Sequence, residues 1–305
     1  MLSDLQHGFR KRRTCETQLM LTVKDFANSL NNRGQTDAVL LDFSKAFDKV
    51  PHRRLLLKLS YSGVRGQLLS WIDNFLSGRT QSVILEGQCS QHSAVTSGVP
   101  QGTVIGPLLF LVYINDLPDC VKSQVRLFAD DAFLYREISN QADCEQLQSD
   151  LQSLEKWEDK WQMSFNADKC HVIRFTNKRL PIIRGYTIHD HVLEVVPSAK
   201  YLGVTLDPKL NWNAHIASTC LKANRTRGFL QRNTQHCPQH VKETCYRTFV
   251  RPFLEYASPV WDPHTKKGIT QLESVQRRCA RYVTKDYRYS SSVTAMMNTL
   301  GWPLI

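Results

Sequence analysis

The run Arg126-Leu-Phe-Ala-Asp-Asp-Ala-Phe-Leu-Tyr135 sets two adjacent aspartates inside an otherwise apolar segment. Apolar runs of this length, rich in aromatics, read as buried strands. A carboxylate buried there costs several kcal/mol unless it is paired or bound to a metal, and two side by side also repel each other. Adjacent side chains of a straight strand point to opposite faces. Asp130 and Asp131 therefore serve one site only if the strand breaks between its halves, which predicts a hairpin: strand, tight turn at Ala-Asp-Asp, strand. Taken alone, the run admits two readings. It is a polar turn joining two strands, as Asp-rich turns often are, or it is a pair of ligands.

A second carboxylate segment weighs on that choice. Ala38 to Leu41 is an apolar, strand-like run that delivers Asp42, followed by Phe43-Ser-Lys-Ala-Phe-Asp48. Aspartates at the ends of two such strands suit Mg²⁺, a hard cation that takes oxygen ligands and shares its shell with substrate phosphates. Two such ions roughly 3.5–4 Å apart activate an attacking oxygen and stabilise a leaving one. The pattern points to phosphoryl-transfer chemistry.

Composition narrows the class. The longest apolar run, Leu108 to Ile114, has seven residues, against about 20 for a membrane helix, so no membrane partner is expected. Met1-Leu-Ser-Asp-Leu-Gln-His7 lacks the apolar stretch of a secretory signal. Nine cysteines without a C-x-x-C pair suit a reducing, intracellular compartment, cytoplasm or nucleus, with free and mostly buried thiols. Cys237-Pro-Gln-His240, with Cys245 and His236 nearby, is a weak zinc pattern short of a well-spaced fourth ligand. The net charge of +11 is uneven: Asp207 to Ile305 carries 15 Lys/Arg against 6 Asp/Glu, a balance of +9. A basic region beside a carboxylate site fits a nucleic-acid channel; a solvated basic surface is the plainer reading.

Asp42-Phe-Ser-Lys-Ala-Phe-Asp48, Ser97-Gly-Val-Pro-Gln-Gly102 and Phe128-Ala-Asp-Asp131, in that order, resemble the palm of a reverse transcriptase of the LINE-type (non-LTR) retrotransposon family. Gly106-Pro-Leu-Leu-Phe-Leu-Val-Tyr-Ile-Asn-Asp-Leu-Pro118 between the second and third makes the series specific. The likeness continues in Gln6-His-Gly-Phe-Arg10, Tyr201-Leu-Gly-Val204 and Leu254-Glu-Tyr-Ala-Ser-Pro-Val-Trp261. Thr103 and Ile105 stand where Ser and Leu are usual, and Arg12 replaces a common small residue. The resemblance implies an α+β fold: a right-hand palm, an antiparallel sheet with packed helices, followed by a helical thumb-like region, with the fingers largely missing. The expected divisions are a fingers remnant with an entry helix over 1–34, the palm over 35–206 and a basic helical thumb over 207–305.

By the same resemblance the chain is expected to be an RNA-directed DNA polymerase. Asp42 and Asp130 would hold two Mg²⁺ ions, with Mn²⁺ as a substitute, Asp131 assisting and Phe43 adding its backbone carbonyl. Lys169 would stand near the pyrophosphate leaving group; a plain turn lysine is the rival. Phe47 would lie under the incoming sugar and exclude a 2′-hydroxyl, where core packing is the rival. Asp48 reads as a structural acid or helix N-cap. Gly98, Pro100, Gln101 and Gly102 would lie beneath the templating base and the nucleotide, and Tyr201, Leu202 and Gly203 would grip the primer end. Arg10, Lys11, Arg12 and Arg13, and Arg277, Arg278 and Arg281 in the thumb, would contact phosphates. The partners implied are an RNA template, a DNA primer and deoxynucleoside triphosphates; protein partners are unspecified. Only 41 residues precede Asp42, which sets a second expectation: a chain that binds Mg²⁺ and nucleic acid but polymerises poorly, acting at most as a basic RNA/DNA-binding remnant. Of the third alternative, an RNA-templated RNA polymerase or maturase-like relative, Phe47 argues against RNA synthesis and the absence of an X-domain-like signature against a maturase.

The periodicities predict helices from Thr14 through Leu19, Val23, Phe26 and Leu30, from Pro51 through Leu59, over Gln67–Leu76, over Pro107–Asn115 and over Gln141–Gln162. A strand is expected over Thr80–Leu85, with a turn at Gly87-Gln88 and a return at Ser93–Val95. Another is expected over Cys170–Phe175. Three basic helices are expected beyond: one with Lys222, Arg225 and Arg227, one through Val241, Cys245 and Phe249 broken or kinked by Pro252, and one from Ile269 through Leu272, Val275 and Cys279.

Overall fold

A computed structural model describes residues 2–304. The chain forms two compact units, Met1–Ala199 and Lys200–Ile305.

The first unit is built on a five-stranded sheet. Its strands are β1 (Gln35–Asp42), β2 (Gln124–Phe128), β3 (Asp131–Glu137), β4 (His171–Thr176) and β5 (Glu194–Val195), in the spatial order β5-β4-β1-β3-β2. All neighbours are antiparallel except β4 and β5. The central strand β1 is longer than the apolar run alone suggests, because Gln35, Thr36 and Asp37 are also buried. Asp37 is the acid such burial must satisfy. Arg174 Nε and Nη2 donate to its two oxygens at 2.9 and 3.1 Å, Tyr186 Oη donates at 2.8 Å and Gln35 Nε2 at 3.0 Å.

Helices cover both faces. On one, α1 (Cys15–Asn31) is started by a capping box at Thr14 and packs Phe26 onto Phe133, Tyr135 and Phe175, its ring stacked on the last at 4.0 Å. On the other, Val39, Leu41, Ala132, Leu134 and Val172 join one core with Leu109, Phe110 and Tyr113 of α4 (Gly106–Tyr113) and the stripe Leu147, Leu151, Leu154 and Trp157 of α5 (Gln141–Trp161). The alternation of β1 and β3 thus supplies two apolar faces. Two helices between α1 and α4, α2 (His52–Tyr61) and α3 (Gly66–Leu76), lie where the periodicity put them. The expected continuous strand after Thr80 is instead two short antiparallel pairs, Thr80–Gln81 with Ser93–Ala94 and Ile84–Leu85 with Gln88–Cys89. All eight residues are exposed, and the reversal falls at Glu86-Gly87, both with positive φ, one residue before the expected turn.

A hairpin, Ala199–Tyr201 with Val204–Leu206, leads into the second unit, turned by Leu202 (φ 43°) and Gly203 (φ 86°). Helices follow: α6 (Asn213–Asn233), α7 (Gln239–Cys245), α8 (Arg251–Glu255), α9 (Ser258–Trp261), α10 (Lys266–Thr284) and α11 (Val293–Thr299). The expected stripe Val241, Cys245, Phe249 is corrected here. Tyr246–Val250 forms a π-helical turn ahead of Pro252, and its extra residue rotates the face that follows. Tyr246, Val250 and Leu254 are buried while Phe249 is 55% exposed. Ile269 is likewise exposed, whereas Leu272, Val275 and Cys279 are buried. All nine cysteines are free, but the expectation of mostly buried thiols is too strong: four are buried, three intermediate, and Cys89 and Cys120 exposed. Among the described residues no helix is long and apolar enough to cross a membrane.

Candidate active site

Two strand ends meet at one rim of the sheet. Asp42 is the last residue of β1 and Asp131 the first of β3, and the register sets them directly opposite each other. Opposed residues of an antiparallel pair share a face, so both carboxylates lie on the same side. Asp130 occupies the turn between β2 and β3: Phe128 pairs with Asp131, leaving a two-residue loop of Ala129 and Asp130. Ala129 has φ 52°, the positive value mirror-image hairpin turns require and one that strains a residue with a Cβ. The expected hairpin is present, and its turn is what brings Asp130 to the rim.

Burial and neighbouring charge act on the two acids of the hairpin. Desolvation first, and then the Asp42 charge, raise the Asp130 carboxyl above the usual carboxylate range. Desolvation, then Asp130 and Asp42, push Asp131 up to about 6, although the residue as a whole is exposed. Hard oxygen donors that repel each other are the chemistry a divalent cation relieves, so the donor set fits Mg²⁺. It is not arranged as a finished cage: among the described residues no group of three or more His, Cys, Asp or Glu is placed to hold a metal ion. The Cys237–Cys245 segment falls under the same statement. Lys169 is the cation present at the rim, its Nζ 3.5 Å from Asp42 Oδ2 with both side chains well exposed.

The segment after Asp42 runs beside the glycine loop. Ser97 Oγ donates to Asp48 O at 2.9 Å, and the Gly98 and Val99 amides donate to Val50 O and Phe47 O, each at 2.8 Å. Gly98 has φ 89°, and a Cβ there would lie 2.7 Å from Asp48 O, so glycine is required twice over. Gln101 Nε2 donates to Asp48 Oδ1 at 2.9 Å. Asp48 is therefore an acid that anchors the loop; the helix N-cap is Pro51. Phe47 is half-buried, stacked on Phe110 at 4.5 Å and edge-on to Phe9 at 6.4 Å. Beside the loop a cavity of about 530 Å³ is lined by Ser97–Gln101 together with Lys45 and Arg79. These two cations were not singled out from the sequence, and the only signal for them was their place beside the motifs.

Sequence reasoning also gave no role to the residue that holds the turn at Ala129 and Asp130. The N-terminal segment runs parallel to β2, with Leu127 N donating to Leu5 O and His7 N to Leu127 O. This places buried Gln6 against the turn. The Ala129 and Gly8 amides both donate to Gln6 Oε1, at 2.8 and 2.7 Å, and Gln6 Nε2 donates to Ala129 O at 3.2 Å. Of the basic run that follows, Arg10 and Arg13 are tied to Ser3 O, Gln6 O and His7, while Lys11 and Arg12 are exposed.

In the second unit Gly203 approaches Tyr256, whose hydroxyl donates to Leu202 O at 2.8 Å. Arg277 and Arg278 are exposed on α10, whereas the Arg281 guanidinium donates to the carbonyls of Asp286, Arg288 and Ser291.

Three kinds of comparison bear on this geometry. A model of the family described as reverse transcriptase (RNA-dependent DNA polymerase) matches residues 1–206. The RNA-directed DNA polymerase from mobile element jockey of Drosophila funebris is 31% identical over 298 residues, which cover 93% of this chain and 32% of that protein. The probable RNA-directed DNA polymerase from transposon X-element of Drosophila melanogaster is 28% identical over 288 residues, 92% of this chain and 32% of that protein. The chain thus spans about a third of the length of these curated relatives. Among solved structures, telomerase from Candida albicans in complex with a TWJ fragment of telomeric RNA matches 95% of this chain and 55% of that one, with TM-score 0.50 and 12% identity. At that identity the likeness is one of fold.

Proposed function

This chain belongs to the reverse transcriptase (RNA-dependent DNA polymerase) family, and on that premise we propose that it carries the polymerase centre of a non-LTR retrotransposon enzyme, extending a DNA primer on an RNA template. The reading rests on one observation above all: Asp42 and Asp131 stand directly opposite at the rim while the turn sets Asp130 beside them. Residues 35–206 act as the palm and 207–305 as a basic thumb.

Two Mg²⁺ ions, for which Mn²⁺ can substitute, would sit on Asp42 and Asp130 with Asp131 and the Phe43 carbonyl beside them, and would supply the charge that stabilises the transferring phosphoryl group. The chain's own residues do the positioning on which such catalysis depends. Lys169, whose exposed side chain reaches Asp42 from the end of a short 3₁₀ turn, holds a proton near the leaving pyrophosphate. Lys45 and Arg79, beside the glycine loop, attract the triphosphate. Gly98, Pro100 and Gly102 shape the loop beneath the base pair, Gln101 is its polar contact, and the Phe47 ring shapes the floor for a sugar that lacks a 2′-hydroxyl. Tyr201, Leu202 and Gly203 hold the primer end, and Lys11, Arg12, Arg277 and Arg278 meet phosphates. Free thiols suit work inside the cell.

Asp130→Asn tests the reading. It removes one charge at nearly constant volume, so incorporation of deoxynucleotides on a primed RNA template should vanish while fold and duplex binding persist. Loss of solubility or of duplex binding instead would make Asp130 a structural residue and overturn the assignment.

A further inference from the structure

Within the second unit, one cavity of about 600 Å³ is lined by Gln231, Arg232, Gln235, His236, Lys242, Tyr282, Lys285 and Tyr287. Its lining holds three fixed cations and a histidine, with no carboxylate. The nearby acids are engaged elsewhere: Glu243 accepts from Arg247 and Trp302, and Asp286 from Arg288. Lys242 in this lining is 1% exposed as a residue, with its Nζ 5.8 Å from the Tyr282 ring centroid.

An ammonium set beside a second one normally has an anion close by, because like charges repel. The neighbour of Lys242 is a second cation, Lys285, at the end of α10. Burial, and then Lys285, lower the Lys242 pKa. An anion between the two ammoniums would supply the missing partner for both. The cavity is also too large for a bare oxyanion and falls in the range of small-molecule sites, about 300–1,000 Å³. At its mouth stands Tyr287, 56% exposed, with its hydroxyl fixed by Gln231 Nε2 at 3.2 Å. Cations that neutralise phosphate, next to an aromatic face for a base and amides for its edge, make up the chemistry of single-strand recognition.

We propose that this cavity is a nucleotide-binding site for single-stranded nucleic acid, in which Lys242 and Lys285 hold one backbone phosphate and Tyr287 stacks on the adjoining base. The site uses none of the rim carboxylates, so the proposal stands or falls apart from the polymerase reading. Its test is binding, with no metal chemistry involved.

The probe is a short single-stranded RNA oligonucleotide carrying a photoreactive uridine, presented to the full chain. Three variants are compared. Lys242→Met keeps the buried stem and removes the charge, while Lys285→Gln and Tyr287→Ala alter exposed groups. The expected result is a crosslink in the peptide that contains Tyr287, weakened severalfold in each variant. In Tyr287→Ala, affinity by fluorescence anisotropy should fall by about tenfold. In Lys285→Gln, the slope of log affinity against log salt should fall by about 0.7, the value for one phosphate of a single strand. Should Lys242→Met not fold, the two exposed variants decide. Unchanged affinity and salt slope in those two, or crosslinks confined to other peptides, would overturn the proposal. So would protection of Lys242 and Lys285 from acylation by inorganic phosphate but not by the oligonucleotide, since that marks a small-anion site.

Discussion

The Gln6 side-chain amide brackets the backbone of Ala129, accepting from its N–H at 2.8 Å and donating to its carbonyl at 3.2 Å. Ala129 is the positive-φ residue of the turn that carries Asp130. One buried side chain thus holds the strained peptide next to a proposed metal ligand. Gly8 closes the arrangement, because a Cβ there would lie 2.3 Å from Ala129 N.

Gln6→Leu should therefore cost activity more than its effect on stability explains. It leaves buried amides unsatisfied, worth about 1–3 kcal/mol each, and frees the turn to shift. A displacement of even about 1 Å lowers rate on the order of 10²-fold. Single-turnover incorporation and urea unfolding, measured together, check this. A rate unchanged in protein that is still folded would make the bracket irrelevant to catalysis.

Asp37 lies fully buried under Arg174, Tyr186 and Gln35. Asp37→Ala removes the anion and leaves Arg174 uncompensated at the centre of the sheet. Unfolding free energy should drop by about 3–5 kcal/mol. Replacing the pair with apolar residues of similar volume should recover part of that loss, read as the shift in denaturation midpoint.

Acid should destabilise both units through two buried histidines. Burial, then Arg13, bring His7 down to about 4; burial, then Lys222, do the same for His215. The Thr205 amide donates to His215 Nδ1 at 3.2 Å, and Arg13 Nη1 stands 3.0 Å from His7 Nε2, so a proton on either acceptor breaks a contact. The folded state binds these protons more weakly than the unfolded chain. Their contribution is complete above about pH 6.5 and is lost as pH falls towards about 4, by up to ~3 kcal/mol for His215 and less for His7, whose charges are better screened. Urea midpoints across that window should fall with acid, and His215→Gln should flatten the slope.

Phe47→Ala opens the ring that stacks on Phe110. Relative use of ribonucleotides should rise by about tenfold or more, the worth of one steric contact in a substrate pocket. Competition between the two nucleotide types on one primed template measures it, and an unaltered ratio would return Phe47 to core packing.

Much of this molecule was legible from local pattern. The Asp-Asp hairpin follows from apolar flanks and the cost of burying adjacent charges, and α5 follows from the spacing of Leu147, Leu151, Leu154 and Trp157. Both are short-range properties, written in consecutive residues. What the tertiary structure decided depends on distance along the chain. No periodicity near Gln6 indicates that it will reach Ala129, more than a hundred residues on; parallel pairing beside Leu127 does that. The opposition of Asp42 and Asp131 is a matter of register between two remote strands, and a one-residue slip would send the carboxylates to opposite faces. The π turn at Tyr246–Val250 exposes Phe249 against its sequence spacing because one extra residue rotates the helix face. The engagement of Arg281 by a following loop, and the lack of a carboxylate in the cavity lining around Lys242, likewise depend on which segments pack together. Local free energies choose strand, turn and helix; burial of the shared core chooses register and partners, and those place the charges.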